Sequence, residues 1–71
     1  MTYIVHRNRD GGRFREREFG DFDAALAYAA ELCGVSLRTM RGRAKDRVFS
    51  GGTMELSGRE TGRDGVWIEE V

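Results

Sequence analysis

The sequence predicts a small α+β domain: an antiparallel sheet of about four strands, in the order ββα(α)ββ, with one main helix packed across one face. Three observations predict it. Apolar residues alternate near both ends of the chain, residues 21–33 repeat them at helical spacing, and a glycine-rich turn follows the first strand. The 71 residues are expected to form a single domain, 1–71. A chain of this size buries only about 60% of its unfolded surface, so we expect one thin core and no deep cleft.

The chain is predicted to begin with a β-hairpin. Residues 2–7 alternate so that Tyr3 and Val5 lie on one face and Ile4 and His6 on the other. An Asp-Gly pair follows, and its tolerance of positive φ angles favours a type I′ turn.

The second strand, residues 13–19, has a charged centre that contains Arg15 and Arg17. One interpretation is an edge strand whose charges protect it from pairing with other chains. The alternative is an arginine ridge that binds a partner.

Residues 21–33 are predicted to form the main helix. Asp21 is a suitable N-cap, because its carboxylate can accept from the free amides of the first turn. Gly34 suits the left-handed position after the helix, and Val35 can make the accompanying apolar contact. The predicted buried face consists of Phe22, Ala25, Leu26, Ala29, Leu32 and Cys33.

A second, basic helix is predicted to start after Ser36 as its cap. Its buried side would hold Leu37, Met40 and Ala44. Gly42 lies in its middle and costs about 1 kcal/mol relative to alanine, so a strand over residues 35–41 is the competing interpretation. The basic residues of this segment are Arg38, Arg41, Arg43, Lys45 and Arg47.

Residues 30–41 resemble the helix-turn-helix of lactose-repressor-like and mercury-regulator-like DNA-binding proteins. The matching features are a small Ala30, the turn at residues 34–36, and Thr39-Met40 entering the second helix. The resemblance implies that the second helix lies in the major groove. Ser36, Leu37, Arg38 and Arg41 would then face DNA, and Arg43, Lys45 and Arg47 would contact phosphates.

This chain departs from the family pattern at three points. Arg43 occupies a position that the family usually fills with an apolar residue, Gly42 weakens the second helix, and a hairpin precedes the helix pair in place of a third helix. The alternative interpretation is a helix, a Schellman turn and a basic, solvated helix.

After the second helix, residues 48–49 are predicted to start a short strand. Residues 53–57 alternate, which places Met54 and Leu56 inward. A polar loop is expected at residues 58–65.

Residues 66–68 are predicted to form the last strand. Trp67 is interpreted as the aromatic anchor of the small core rather than as a base-stacking platform.

The net charge is zero, but the charges are segregated along the chain. Residues 1–20 carry +2, residues 21–33 carry −3, residues 34–47 carry +4 and residues 48–71 carry −3. This distribution allows a local patch for phosphate or for an acidic partner, and it argues against a general nucleic-acid coat.

No catalytic or metal-binding set is expected. His6 is the single histidine, interpreted as a solvated or packed imidazole, and Cys33 is the single cysteine, so neither a catalytic triad nor a zinc site can be assembled. We therefore expect a protein without enzymatic activity, cofactor or small-molecule substrate. One cysteine fits a reducing cytoplasm, and no segment resembles a signal peptide or a membrane span.

The layout of the whole chain, a hairpin, an alanine-rich helix and further antiparallel strands, resembles that of small phage-encoded anti-CRISPR proteins. The resemblance implies steric blocking of a CRISPR surveillance complex at its DNA-binding or recruitment surface.

We place first a non-enzymatic inhibitor that binds a host nucleic-acid-processing protein complex. The alternative is a sequence-specific DNA-binding regulator that uses the helix-turn-helix-like segment 26–47, and the third hypothesis is a subunit of a larger assembly. The residues expected to bind the partner or nucleic acid are Arg38, Arg41, Arg43, Lys45, Arg47, Arg15 and Arg17.

Overall fold

The first and last strands of the chain lie side by side in the centre of one antiparallel sheet. The computed structural model describes residues 1–9, 12–57 and 65–71, except for the side chain of Arg9. The strand order is β2-β1-β4-β3, which confirms the α+β class with a four-stranded antiparallel sheet. The elements are β1 (Tyr3–Arg9), β2 (Gly12–Phe19), α1 (Phe22–Cys33), α2 (Leu37–Lys45), β3 (Thr53–Glu55) and β4 (Val66–Glu70).

Pairing of β1 with β4 brings the two chain ends together. Tyr3 lies opposite Glu70, and the pairing continues past both strands. The Thr2 amide donates to the Val71 carbonyl at 3.1 Å, and the Val71 amide donates back at 2.8 Å. The backbone amides and carbonyls of Thr2 and Val71 are therefore paired with each other beside the sheet.

The two faces of the sheet differ, as the alternation in β1 predicts. The helix-covered face carries Val5 and Ile68, both fully buried beneath α1. The open face is the other side of the sheet, where Ile4 and His6 of β1 lie opposite Glu69 and Trp67 of β4. Small and large side chains pack into one core between the helix-covered face and the helices. This core consists of Val5, Ala25, Leu26, Ala29, Ala30, Cys33, Met40, Met54, Leu56, Val66 and Ile68.

Both predicted ends of α1 are confirmed. Asp21 Oδ2 accepts from the Ala24 amide at 3.0 Å, which caps the first turn. Gly34 has φ 70°, and its amide donates to the Glu31 carbonyl at 3.1 Å. The Val35 amide donates to the Ala30 carbonyl at 3.0 Å, which completes a Schellman turn.

Residues 37–45 are helical, so the strand interpretation of residues 35–41 is wrong. Ser36 Oγ accepts from the Thr39 amide at 3.1 Å, and the side chain of Met40 is completely buried against α1 and the sheet. A capped first turn and one buried anchor therefore outweigh the helix-weakening Gly42.

The expected strand at residues 48–49 is also wrong, because the segment is irregular. Phe49 packs instead against two rings at the edge of the core, 5.8 Å from Phe22 and 6.3 Å from Tyr3 between ring centroids. Val48 stays 81% exposed. Aromatic packing has overridden a local preference for strand at this position.

The strand β3 is shorter than the predicted 53–57, but its pattern is confirmed because Met54 and Leu56 are both buried. The Asp-Gly turn of the first hairpin and residues 58–64 of the predicted loop lie outside the described residues. In the part of the chain that the structure describes, neither helix has the length and apolar character that crossing a bilayer requires.

Two glycine substitutions should change stability in opposite directions. A Cβ atom at Gly34 or at Gly42 would meet no atom within 4 Å, so backbone conformation alone decides the outcome. Gly34→Ala forces a left-handed residue and should lower the free energy of unfolding by about 1 kcal/mol. Gly42→Ala lies within α2 and should raise it by about 1 kcal/mol. Urea unfolding followed by circular dichroism measures both, and shifts of equal sign would contradict this account.

Candidate partner-binding surface

Arg41 is bound to a carboxylate of its own chain. Its Nε donates to Asp23 Oδ1 at 3.0 Å and its Nη2 donates to Asp23 Oδ2 at 2.6 Å. The guanidinium therefore binds the carboxylate in a bidentate manner, through two parallel hydrogen bonds. These hydrogen bonds hold the pKa of Asp23 below its usual range and raise the pKa of Arg41. Both side chains remain about half exposed, so the pair joins α1 to α2 at the surface.

Arg43 and Arg47 also use their guanidinium groups on backbone carbonyls. Arg43 is half-buried, and its Nη1 donates to the Leu56 carbonyl at 3.2 Å, which ties α2 to the segment after β3. Arg47 Nη1 donates to the Arg43 carbonyl at 3.0 Å, near the end of α2. Both arginines therefore support the local structure.

Arg38 and Lys45 are exposed on α2 and make no hydrogen bond or ion pair with the side chains that the structure describes. Together with Arg41 they recur at intervals of three and four residues, which places them on one side of the helix. We call these three residues the α2 basic face. Thr39 and Gly42 are exposed beside them, while Met40 points into the core.

The two predicted arginines of β2 do not form one ridge. Arg15 lies opposite His6 and Arg17 opposite Val5, because Glu16 is an extra residue at a β-bulge. Arg15 therefore lies on the open face, where it forms an ion pair with Glu18.

Arg17 lies on the helix-covered face and stacks near two aromatic rings. Its guanidinium carbon is 5.3 Å from the Phe19 ring centroid and 5.9 Å from that of Tyr28. Such contacts contribute about 0.5–1 kcal/mol at an exposed site. The predicted partner-binding arginines thus separate into two faces with different surroundings.

The open face carries a cluster that the sequence analysis missed. The His6 ring stacks on Trp67 with centroids 4.0 Å apart and an interplanar angle of 10°. His6 Nε2 lies 2.9 Å from Glu69 Oε1, and the guanidinium carbon of Arg13 lies 5.3 Å from the Trp67 ring centroid. His6 is only 8% exposed, so the interpretation as a packed imidazole is confirmed.

The interpretation of Trp67 as the aromatic anchor of the core is wrong. Val66 and Ile68 are buried beneath α1, and strand alternation therefore turns Trp67 to the open face. That alternation was the available signal, since two flanking apolar residues compete with the larger ring for the core. On the open face, Trp67 is the neighbour of His6 across the β1–β4 pairing.

Within residues 1–9, 12–57 and 65–71, no three His, Cys, Asp or Glu side chains gather closely enough to hold a metal ion. Cys33, the single cysteine of the chain, is buried on α1. No family model, curated protein or solved structure matches this chain. Among the residues that the structure describes, the α2 basic face and the open face of the sheet are two surfaces available for recognition.

The Arg41–Asp23 pair predicts a pH dependence. Because the pKa of Asp23 is lowered in the folded protein, the pair stabilises the fold above the ordinary pKa of aspartate, and this contribution is lost as the pH falls through the folded-state pKa. Arg41→Gln should therefore raise the pKa of Asp23 toward its ordinary value. Its effect on the free energy of unfolding should be present at neutral pH and vanish in acid. Carboxyl-carbon NMR titration measures the pKa.

Arg38→Gln is the matched control, because Arg38 is a neighbouring exposed cation of α2 that does not bind Asp23. It should leave the titration of Asp23 unchanged. Equal shifts in the two variants would show that general charge, rather than the paired hydrogen bonds, sets this pKa.

Proposed function

We propose that this chain is a non-enzymatic binding protein whose target is another protein, and that it acts by covering a surface of that target. The observation that carries the proposal is that several arginines predicted to bind a partner already bind groups of their own chain. Arg41 binds Asp23, Arg15 binds Glu18, and Arg43 donates to a backbone carbonyl. A surface of paired opposite charges suits a protein partner of complementary pattern.

The same pairing argues against a surface made mainly for phosphate. Binding to nucleic acid gains its strength when cations neutralise phosphates and release counterions. Here Asp23 already neutralises the central cation of the α2 basic face, and only Arg38 and Lys45 lack a described partner. Asp21 and Asp23 on the adjacent helix end would also repel a phosphate backbone.

The class of target we propose is a host complex that processes nucleic acid, blocked in the manner of the anti-CRISPR proteins that the layout of the chain resembles. The hairpin, the alanine-rich α1 and the further antiparallel strands support this likeness. The α2 basic face is the surface we assign to contact the target, with acidic groups of the target opposite Arg38 and Lys45 and basic groups opposite Asp21 and Asp23. The protein would act by occlusion, without cofactor or substrate.

A phage-challenge assay tests the inhibitor proposal. Bacteria whose CRISPR immunity targets a phage should regain sensitivity, scored as plaque formation, when they express the wild-type chain. The double variant Arg38→Glu, Lys45→Glu should leave them immune, because it reverses the charge of the α2 basic face. Arg13→Glu is the matched control: it reverses a charge on the open face and should behave as wild type.

If bacteria with every CRISPR type tested stay immune to the phage although they express folded wild-type protein, the proposed class of target is wrong. Inhibition that survives the double variant would instead contradict the assignment of the α2 basic face as the binding surface.

Sequence-specific DNA binding is the second candidate, and one observation favours it. The described residues contain two helices joined by a tight Schellman turn, with Ala30 buried and three cations along the exposed side of the second helix. Two helices joined by a short turn, with cations on the exposed side of the second, support the proposal that this helix could lie in the major groove.

Salt dependence distinguishes the two candidates. If the α2 basic face binds DNA, the two cations without a described partner, Arg38 and Lys45, should give a slope of about −1.8 in the logarithm of affinity against the logarithm of salt concentration. Removing Arg38, Arg41 and Lys45 together, with Arg43 kept for its structural bond, should abolish most of this binding. Fluorescence anisotropy with duplex DNA measures both, and equal affinity of wild type and triple variant would exclude the DNA candidate.

A further inference from the structure

We propose that two copies of this chain pair edge to edge through β2, antiparallel, about a two-fold axis that passes between Glu16 and Arg17. The two sheets would join into one sheet of eight strands. This pairing is independent of the proposed function, because it uses residues of β2 and none of the α2 basic face.

The outer edge of β2 is available for pairing. β2 lies at one end of the strand order, and among the described residues its only strand partner is β1. With eight residues it is the longest strand, whereas β3 at the opposite edge has three. A long exposed edge presents a row of unpaired amides and carbonyls, which is a template for another strand.

The sequence of β2 is complementary to itself. Residues 14–19 read Phe-Arg-Glu-Arg-Glu-Phe. Reversed against a second copy about the proposed axis, every charged residue faces one of opposite sign, and the two end positions place phenylalanine against phenylalanine. The pairs are Arg15 with Glu18 of the second copy, Glu16 with Arg17, and Phe14 with Phe19, each formed twice.

The β-bulge makes this register geometrically possible. In a regular strand, residues 15 and 18 would lie on opposite faces and could not meet across a two-fold axis perpendicular to the sheet. Here Arg15 lies opposite His6 and Glu18 opposite Ile4, so the bulge brings both side chains to the open face. Their ion pair within the chain shows that they share this face.

The apolar ends follow the same rule. Phe14 lies opposite Arg7 and Phe19 opposite Tyr3, which places both phenylalanines on the helix-covered face. Phe14 is 50% exposed in the single chain, a large apolar side chain without cover. Contact with Phe19 of the second copy would remove much of that surface from water.

The alternating charges select one register and reject its neighbours. A slip of one residue in either direction places arginine against arginine and glutamate against glutamate, which is unfavourable between directly opposed residues. A slip of two restores opposite charges but separates both phenylalanine pairs. The charges therefore protect the edge from unrelated strands, as the sequence suggested, and admit a second copy in one alignment.

Charge exchange across the axis tests the proposal. Analytical ultracentrifugation of the full chain should show twice the monomer mass of 8.0 kDa. Arg15→Glu alone or Glu18→Arg alone places like charges opposite each other twice in the dimer, and each should raise the dissociation constant at least about tenfold. An equimolar mixture of the two variants should form a heterodimer with near wild-type affinity, because every opposed pair is again of opposite sign.

The double variant Arg15→Glu, Glu18→Arg should likewise recover the homodimer. Arg38→Glu is the matched control: it makes the same charge change on α2, away from β2, and should dimerise as wild type does. Phe14→Ser keeps all charges and should weaken the dimer without unfolding the chain, since the side chain is half exposed. Circular dichroism verifies that each variant is folded.

If the wild-type protein remains monomeric up to about 1 mM, the proposal is wrong, because the specific pairing of two β2 strands should be tighter than that. A dimer whose charge variants fail to complement each other in the mixture would overturn it equally, because the contact would then lie elsewhere on the chain.

Discussion

The antiparallel pairing of β1 with β4 is the constraint on which the rest of the structure depends. It joins the two ends of the chain, through reciprocal bonds between Thr2 and Val71, and it places Val5 beside Ile68 beneath α1. A chain of 71 residues has little core to spare, so a long-range contact between its ends determines whether one continuous core forms. Its cost is the entropy of closing nearly the whole chain into a loop.

Small side chains then let the helix lie close to this sheet. Ala25 and Ala29 are fully buried where α1 meets the core, and the same helix also contacts α2. Close approach through alanine increases dispersion contacts without requiring large side chains. The thin core leaves most of the large polar side chains at the surface, and their pairing decides what that surface can bind.

Bonds within the chain determine which of its arginines remain available to another molecule. Residues 37–47 carry five bases; in the fold, one binds Asp23 and two donate to backbone carbonyls. Arg43 shows the reason most clearly. Its long side chain crosses from α2 to the Leu56 carbonyl, which ties up a donor that the sequence counts as available to a partner. Net charge is thus a poor guide to the cations that a partner can reach.

The sequence alone determined the features that depend on neighbours along the chain. The capped ends of α1, the capped start of α2, the faces of β1 and the inward positions of Met54 and Leu56 all follow from local hydrogen bonds or from periodicity. It predicted which arginines to consider, whereas the cluster formed by His6 and Trp67 depends on the pairing of β1 with β4.

Only the tertiary structure decided the features that depend on residues distant in sequence. Three features each need a partner from elsewhere in the chain: the irregular path at Phe49, the pairing of Arg41 with Asp23 and the stacking of His6 on Trp67. The bulge at Glu16 is the clearest case, because an extra residue is defined only against the strand opposite. Local rules fix the elements, whereas the register between strands fixes which side chains meet.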